Sequence, residues 1–86
     1  MYAIIVYDVD VSRNRAILTY LRTHLNWIQN SVFEGELTEA EFREVKSKLE
    51  SLAEDQDSIV IYALDSDRYM EKAVIGEERG STDRIL

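Results

Sequence analysis

The N-terminal run MYAIIVYDVD, residues 1–10, is the feature that most constrains how this chain folds. Its first part is apolar and rich in Ile and Val, and it is too short for a helix, which favours a strand buried on both faces. Polarity begins abruptly at Asp8. Because side chains alternate along a strand, Ile4, Val6 and Asp8 point to the same face. The pattern predicts a carboxylate at the rim of one sheet face, at the C-terminal end of a rigid strand. Functional polar residues usually lie at such strand ends.

Length and composition limit the class of protein. The 86 residues suffice for one domain with a modest core, and the absence of cysteine excludes disulfides and thiolate metal sites. Apolar runs are too short to span a membrane, and no basic leader precedes the first strand, so we expect a cytoplasmic protein with no membrane partner.

A net charge of −7 argues against non-specific nucleic-acid binding. Arg13, Arg15 and Arg22 lie together early in the chain, so any such contact would use the first loop and helix; alternatively, they are ordinary solvated charges.

Two helices are predicted, each with a capping residue. Apolar residues at helical spacing predict the first helix over residues 13–25, with Ser12 as its N-cap. The second helix is predicted over residues 39–53. Thr38 followed three residues later by Glu41 forms a capping box at its start, which is the strongest local signal in the sequence.

A β-hairpin is predicted between the two helices. Trp, Ile, Val and Phe favour strands over residues 27–29 and 32–37. Asn30 and Ser31 can form the tight turn that joins them, because Asn tolerates a positive φ. The alternative is a single strand with a β-bulge near Ser31 or Gly35.

The order of elements predicts an α+β fold. A second apolar run at residues 58–64 and a short strand at 72–76 complete the ferredoxin-like βαββαβ arrangement with one added C-terminal strand. We assign residues 1–76 to this domain and residues 77–86 to a charged tail. Two helices cover only one sheet face, yet the central strands are apolar on both, so the open faces are expected to stack in a homodimer. That symmetry would bring Asp8 near its copy.

Four segments together resemble a known family: YAIIVYDVD, SRNR at the start of the first helix, WIQNSVFEGEL and SIVIY. Their order and spacing are similar to those of the small universal CRISPR-associated protein of spacer acquisition, CRISPR-associated protein two. The resemblance implies a ferredoxin-like homodimer that bridges the integrase subunits of the CRISPR adaptation complex and binds DNA. Several members of that family are described as magnesium-dependent endonucleases that act on RNA, including single-stranded RNA, or on double-stranded DNA.

The resemblance also implies roles for residues near the end of the first strand. Asp8 matches the family's metal-binding Asp, which is expected to hold Mg²⁺ and to be catalytic. Tyr7 matches the aromatic residue before it and is expected to share the catalytic site; the alternative is that it packs in the core or in an interface. Arg13 and Arg15 match the loop arginines and are expected to contact nucleic acid.

Other positions carry further expectations. Ser31 and Phe33 match the family's S-V-F segment and are expected to be structural. Phe33 and Trp27 are both expected to pack in the sheet, and the less favoured alternative is that they stack on bases. Trp27 stands where some nuclease-active members have Arg, which weakens the expectation of strong cleavage but not that of a scaffold. In the tail, Ile85 and Leu86 are expected to anchor the protein on its integrase partner.

One Asp8 per chain does not make a magnesium site by itself. Mg²⁺ takes near-octahedral oxygen ligands and keeps waters beside one or two carboxylates, so two Asp8 side chains across a dimer axis would supply the protein ligands. The alternative is that Asp8 merely ends a strand. For the whole chain, the alternatives are a stand-alone metal-dependent ribonuclease of the toxin type and a ferredoxin-like regulatory binding module.

Overall fold

A computed structural model describes residues 1–65 and 70–78 of the chain. These residues form one antiparallel sheet with the strand order β2-β3-β1-β4-β5, and two helices. The elements are β1 (Tyr2–Asp8), α1 (Val11–Leu21), β2 (Asn26–Gln29), β3 (Val32–Glu36), α2 (Glu39–Leu52), β4 (Ser58–Leu64) and β5 (Met70–Gly76). The predicted α+β, ferredoxin-like order is confirmed, and the added strand β5 is longer than expected.

β1 lies at the centre of the sheet, between β3 and β4. Ala3, Ile5 and Tyr7 are buried and belong to the hydrophobic core, whereas the side chains between them are partly or fully exposed. Antiparallel partners share a face, so the alternation in β1 extends across the sheet. One face carries the core beneath α1 and α2. We call the other the open face, and its apolar residues are Tyr2, Ile4, Val6, Val32, Val60, Tyr62, Leu64, Met70 and Val74.

The first helix differs from its prediction at both ends. It begins at Val11, and Asp10 rather than Ser12 is its N-cap, because the Asp10 carboxylate accepts hydrogen bonds from the Ser12 amide at 3.0 Å and the Ser12 hydroxyl at 2.6 Å. It ends at Leu21 rather than residue 25. Beyond that point the His24 amide donates to the Leu21 carbonyl three residues back, a tighter turn than an α-helix makes.

The hairpin is confirmed, with its turn at Asn30, whose φ is 47°. The register between β2 and β3 shifts between Trp27 and Gln29, so a β-bulge lies in β2 rather than near Ser31 or Gly35. Phe33 is fully buried, as expected. The expectation that Trp27 packs in the sheet is wrong: its side chain is 53% exposed, because β2 is an edge strand.

The capping box of α2 is present. The Glu41 amide donates to Thr38 Oγ1 at 3.1 Å, and the Thr38 amide donates to Glu41 Oε1 at 2.8 Å. Each of the two side chains thus satisfies one amide that the first turn would otherwise leave unpaired. Val45 and Leu49 of the same helix are buried against the sheet.

We expect Thr38→Ala to lower the free energy of unfolding by roughly 0.5–2 kcal/mol, because one of these amides loses its acceptor. Chemical denaturation with a fitted midpoint measures it. Thr19→Ala is the control, since Thr19 is exposed within α1 and Ala has the higher helix propensity. Equal midpoints for wild type and Thr38→Ala would show that the box contributes no stability.

No helix among the described residues is long and apolar enough to cross a membrane.

Candidate functional site

Asp8 is the last residue of β1 and is exposed at the rim of the sheet, on the side to which Ile4 and Val6 point. It pairs with Ser58 of β4, and Ser58 in turn pairs with Gly76 of β5. Ser58 is therefore fixed by ladders on both sides, and it holds the end of β1 in place from one side. The structure places this carboxylate as the sequence predicted, on a rigid strand beside apolar residues of the open face.

Tyr7 does not share the site of Asp8. Its side chain points to the opposite face, is buried, and stacks on Phe33 with ring centroids 6.3 Å apart. Burial raises the pKa of the Tyr7 hydroxyl, although a hydrogen bond with the Ser31 side chain opposes the shift. The Tyr7 amide also donates to the Ser31 carbonyl at 3.0 Å. Tyr7 and Ser31 thus tie β1 to the hairpin turn, and a catalytic role for Tyr7 stays a prediction.

Arg13 makes an ion pair that the sequence did not indicate. Its Nε donates to Asp57 Oδ2 at 2.5 Å and its Nη2 donates to Asp57 Oδ1 at 2.8 Å, a bidentate arrangement. The Asp57 side chain is 0% exposed and that of Arg13 only 19%. Asp57 also accepts hydrogen bonds from the amides of Asp10 and Glu54. One buried carboxylate therefore joins the loop after β1, the start of α1 and the loop before β4.

This network fixes the charge of Asp57. The Arg13 guanidinium beside it holds the pKa of the Asp57 carboxyl well below its usual range, against the opposing effect of burial. The same hydrogen bond raises the pKa of Arg13. To contact a phosphate, Arg13 would have to leave a buried partner, which is costly. Arg15 is exposed on α1 and is the better placed of the two predicted arginines.

Within one chain, the carboxylates that the structure describes do not form a metal site. Among residues 1–65 and 70–78, no group of three or more His, Asp or Glu side chains could hold an ion. One exposed carboxylate, Asp8, fits a magnesium ion only if a second chain supplies another. The predicted anchors Ile85 and Leu86 lie outside the described residues.

Fold and site together define a class: small ferredoxin-like proteins that present a carboxylate at the end of the first strand, on an open apolar sheet face. Comparison with known proteins narrows that class. Residues 1–72 match the sequence model of the family described as CRISPR associated protein Cas2. The chain therefore belongs to the Cas2 family of CRISPR-associated proteins.

Individual relatives agree with this assignment. A protein of Methanothermobacter thermautotrophicus named CRISPR-associated endoribonuclease Cas2 is 47% identical over 87 residues, which cover 100% of this chain and 96% of the relative. A protein of the same name from Methanocaldococcus jannaschii is 48% identical, over 100% of this chain and 76% of the relative. Among solved structures, Streptococcus pyogenes Cas2 at pH 6.5 is 31% identical, with a TM-score of 0.69, over 78% of this chain and 89% of that one.

Proposed function

We propose that this protein is a homodimeric, cytoplasmic component of CRISPR adaptation. In this role it bridges integrase subunits and binds DNA, and its two Asp8 side chains together hold Mg²⁺ for endonuclease activity on RNA or DNA. The observation that carries the proposal is the position of Asp8, exposed at the rim of an open sheet face whose apolar residues need a partner. Membership of the Cas2 family and the endoribonuclease names of its relatives support it.

The open face supplies the reason for a dimer. Val6, at its centre, is 39% exposed, and its neighbours across the ladders are Val32 and Val60. Contiguous apolar surface of this kind is usually covered by another protein surface. A two-fold axis through this face would cover it with the same residues of a second copy. Because Asp8 lies at the rim of that face, such an axis near the end of β1 brings the two carboxylates together.

Two facing carboxylates repel each other, and a cation between them removes the repulsion. When bound there, Mg²⁺ supplies polarisation of a phosphoryl oxygen and a lower pKa for a bound water. The chain itself contributes the rigid strand ends that hold Asp8, and the exposed Arg15 guanidinium that can contact a phosphate. Arg13 contributes by fixing the loop after β1 through Asp57 rather than by binding phosphate. The bridge to the integrase would use surfaces outside this site, with Ile85 and Leu86 as anchors.

Asp8→Asn tests the proposal, because a paired metal site and a structural strand end predict opposite changes in the melting temperature. We expect light scattering to report a dimer for both proteins, with the Mg²⁺-free Asp8→Asn dimer melting higher because the repulsion is removed. Millimolar Mg²⁺ should raise the melting temperature of the wild type only, since a ligand of the folded state stabilises it by mass action. Mg²⁺-dependent cleavage of RNA and duplex DNA should be lost in Asp8→Asn.

Asp55→Asn is the matched control, because Asp55 is an exposed carboxylate in the turn between α2 and β4 rather than on a strand. It should keep both the response to Mg²⁺ and the cleavage. A monomeric wild type would contradict the paired site. Equal responses of wild type and Asp8→Asn to Mg²⁺ would contradict metal binding by Asp8, and a lower melting temperature of Asp8→Asn without Mg²⁺ would mark Asp8 as a structural strand end.

A further inference from the structure

Trp27 is the sole tryptophan of the chain, and its indole lies on the surface. It stands on the edge strand β2, paired with Phe33 of β3, whose side chain is buried on the helix-covered side of the sheet. Because paired residues share a face, Trp27 also points to that side. The proposed dimer contact through the open face therefore leaves its ring accessible.

The Trp27 ring is held in one orientation. Its Nε1 donates a hydrogen bond of 2.9 Å to the carbonyl of Asn30, in the turn where Asn30 has a φ of 47°. This bond satisfies the one polar atom of the indole, so what the ring offers to a partner is its aromatic faces. A ring that is already ordered also loses little conformational freedom on binding.

Hydrogen bonds connect this ring to the Asp8 site. Ser31 follows Asn30, and its carbonyl accepts a hydrogen bond from the amide of Tyr7, the residue before Asp8. Two strand spacings of about 4.8 Å and three residues of about 3.3 Å separate Trp27 from Asp8, or roughly 14 Å between their Cα atoms. The two side chains point to opposite faces. A ligand that contacts both must therefore pass round the end of the sheet.

We propose that Trp27 stacks on an unpaired base of a single-stranded nucleic acid whose backbone passes the Asp8 end of the sheet. The inference rests on the nucleic-acid binding proposed above and adds a residue that would bind the unpaired bases. A single strand has free base faces and can turn within this distance, whereas a duplex has its bases stacked internally and resists bending on this scale. The exposed Arg22, whose charge acts on the Tyr7 hydroxyl, places a cation on the same side of the sheet.

A protein strand is a poorer match to this edge. Pairing of another strand with β2 requires a regular ladder, and the shift of register between Trp27 and Gln29 interrupts it. Ile28, the other exposed apolar residue here, lies at that irregularity. An isolated, fixed indole suits one planar group better than an extended apolar surface.

Fluorescence of the single tryptophan tests the proposal directly. We titrate the full-length protein, without divalent metal so that nothing is cleaved, with oligo(U), with oligo(dT) and with a DNA duplex of equal length. Both single strands should quench Trp27, and the duplex should not. In anisotropy measurements with labelled oligonucleotides, Trp27→Leu should lower single-strand affinity by about 5- to 150-fold, the range for one stacked base. Trp27→Phe, which keeps an aromatic face, should retain part of that affinity.

Ile28→Ala is the matched control, since it removes the exposed apolar side chain that follows Trp27 in the sequence and should leave single-strand affinity unchanged. Three results would overturn the proposal. If single strands bind but neither fluorescence nor affinity depends on Trp27, stacking is absent while the proposed function stands. If Trp27→Leu and Trp27→Phe weaken binding of single strands and duplex equally, Trp27 only supports the hairpin. If no nucleic acid binds in any form, the proposed function fails together with the stacking.

Discussion

Asp57→Ala is expected to lower the free energy of unfolding by roughly 3–5 kcal/mol, the usual cost of removing one partner from a buried ion pair. The variant leaves the Arg13 guanidinium without its bidentate acceptor, and it removes the acceptor of the Asp10 and Glu54 amides. For a domain of this size, 3 kcal/mol corresponds to a fall in melting temperature of about 12–24 °C. Circular dichroism melts of the purified protein measure it.

Glu54→Ala provides the control for this prediction. Glu54 Oε2 lies 3.9 Å from Arg13 Nη1, but the Glu54 side chain is 61% exposed, so water screens the interaction. Its removal should cost about 0–1 kcal/mol. If Asp57→Ala and Glu54→Ala had similar melting temperatures, the pair of Arg13 and Asp57 would not hold the loops together as the structure indicates.

The same pair predicts how stability depends on pH. The pKa of Asp57 lies well below its ordinary value of 3.8 in the folded protein, chiefly because of the Arg13 hydrogen bond. Ionised Asp57 therefore makes its full contribution to the free energy of unfolding above about pH 4. This contribution declines as the pH falls towards the folded-state pKa of Asp57. The stability difference between wild type and Asp57→Asn should be constant from about pH 7 to pH 5 and narrow below about pH 4. Glu41, whose pKa is also lowered, occurs in both proteins and cancels in the difference, whereas Asp10 does not cancel fully, because the charge of Asp57 opposes the lowering of its pKa and Asp57→Asn removes that charge.

Short-range patterns predicted much of this fold. The capping box of Thr38 and Glu41 spans only three residues, and the alternation in β1 that points Asp8 away from the core repeats every two. Such signals lie within a single element, so no knowledge of the tertiary structure is needed. The N-cap of α1 shows the limit of this approach, because Asp10 and Ser12 are both good capping residues, and the helix starts early enough that Asp10 takes the position.

Contacts between distant residues could not be predicted in this way. Arg13 and Asp57 are 44 positions apart, and Asp57 stands in an acidic loop whose composition suggests a solvated surface. Only the folded chain shows that Asp57 is buried and that it forms an ion pair with Arg13, an arginine predicted to bind nucleic acid. The prediction that Trp27 packs in the sheet was wrong for a related reason. An aromatic residue in a strand suggests packing, but β2 lies at the edge of the sheet. Both outcomes move the expected nucleic-acid contacts from Arg13 towards Arg15 and the aromatic face of Trp27.

Gly76→Ala is expected to destabilise the protein through both a backbone conformation and a steric clash. Gly76 ends β5 with a φ of +83°, a conformation that costs an ordinary residue roughly 1–3 kcal/mol. A Cβ atom at this position would also lie 2.0 Å from the Asp57 carbonyl oxygen, so the backbone would have to move. The next amide, of Glu77, donates to that same oxygen at 2.7 Å and depends on this close approach. The substitution should therefore separate the end of β5 from the Asp57 loop and lower the melting temperature by at least about 4–8 °C.

Two variants separate the causes of that effect. Gly76→Asn introduces a residue that tolerates a positive φ better than Ala does, but it still adds a Cβ atom. If the contact with Asp57 is the main cause of the destabilisation, Gly76→Asn should be nearly as unstable as Gly76→Ala. Gly35→Ala should cost less, because its Cβ would meet Leu25 Cδ2 at 3.0 Å, the end of a side chain that can turn away. Wild-type stability in Gly76→Asn would assign the whole effect to backbone conformation. Wild-type stability in Gly76→Ala would mean that β5 does not end against Asp57, and the ladder that fixes Ser58 beside Asp8 would then lack this support.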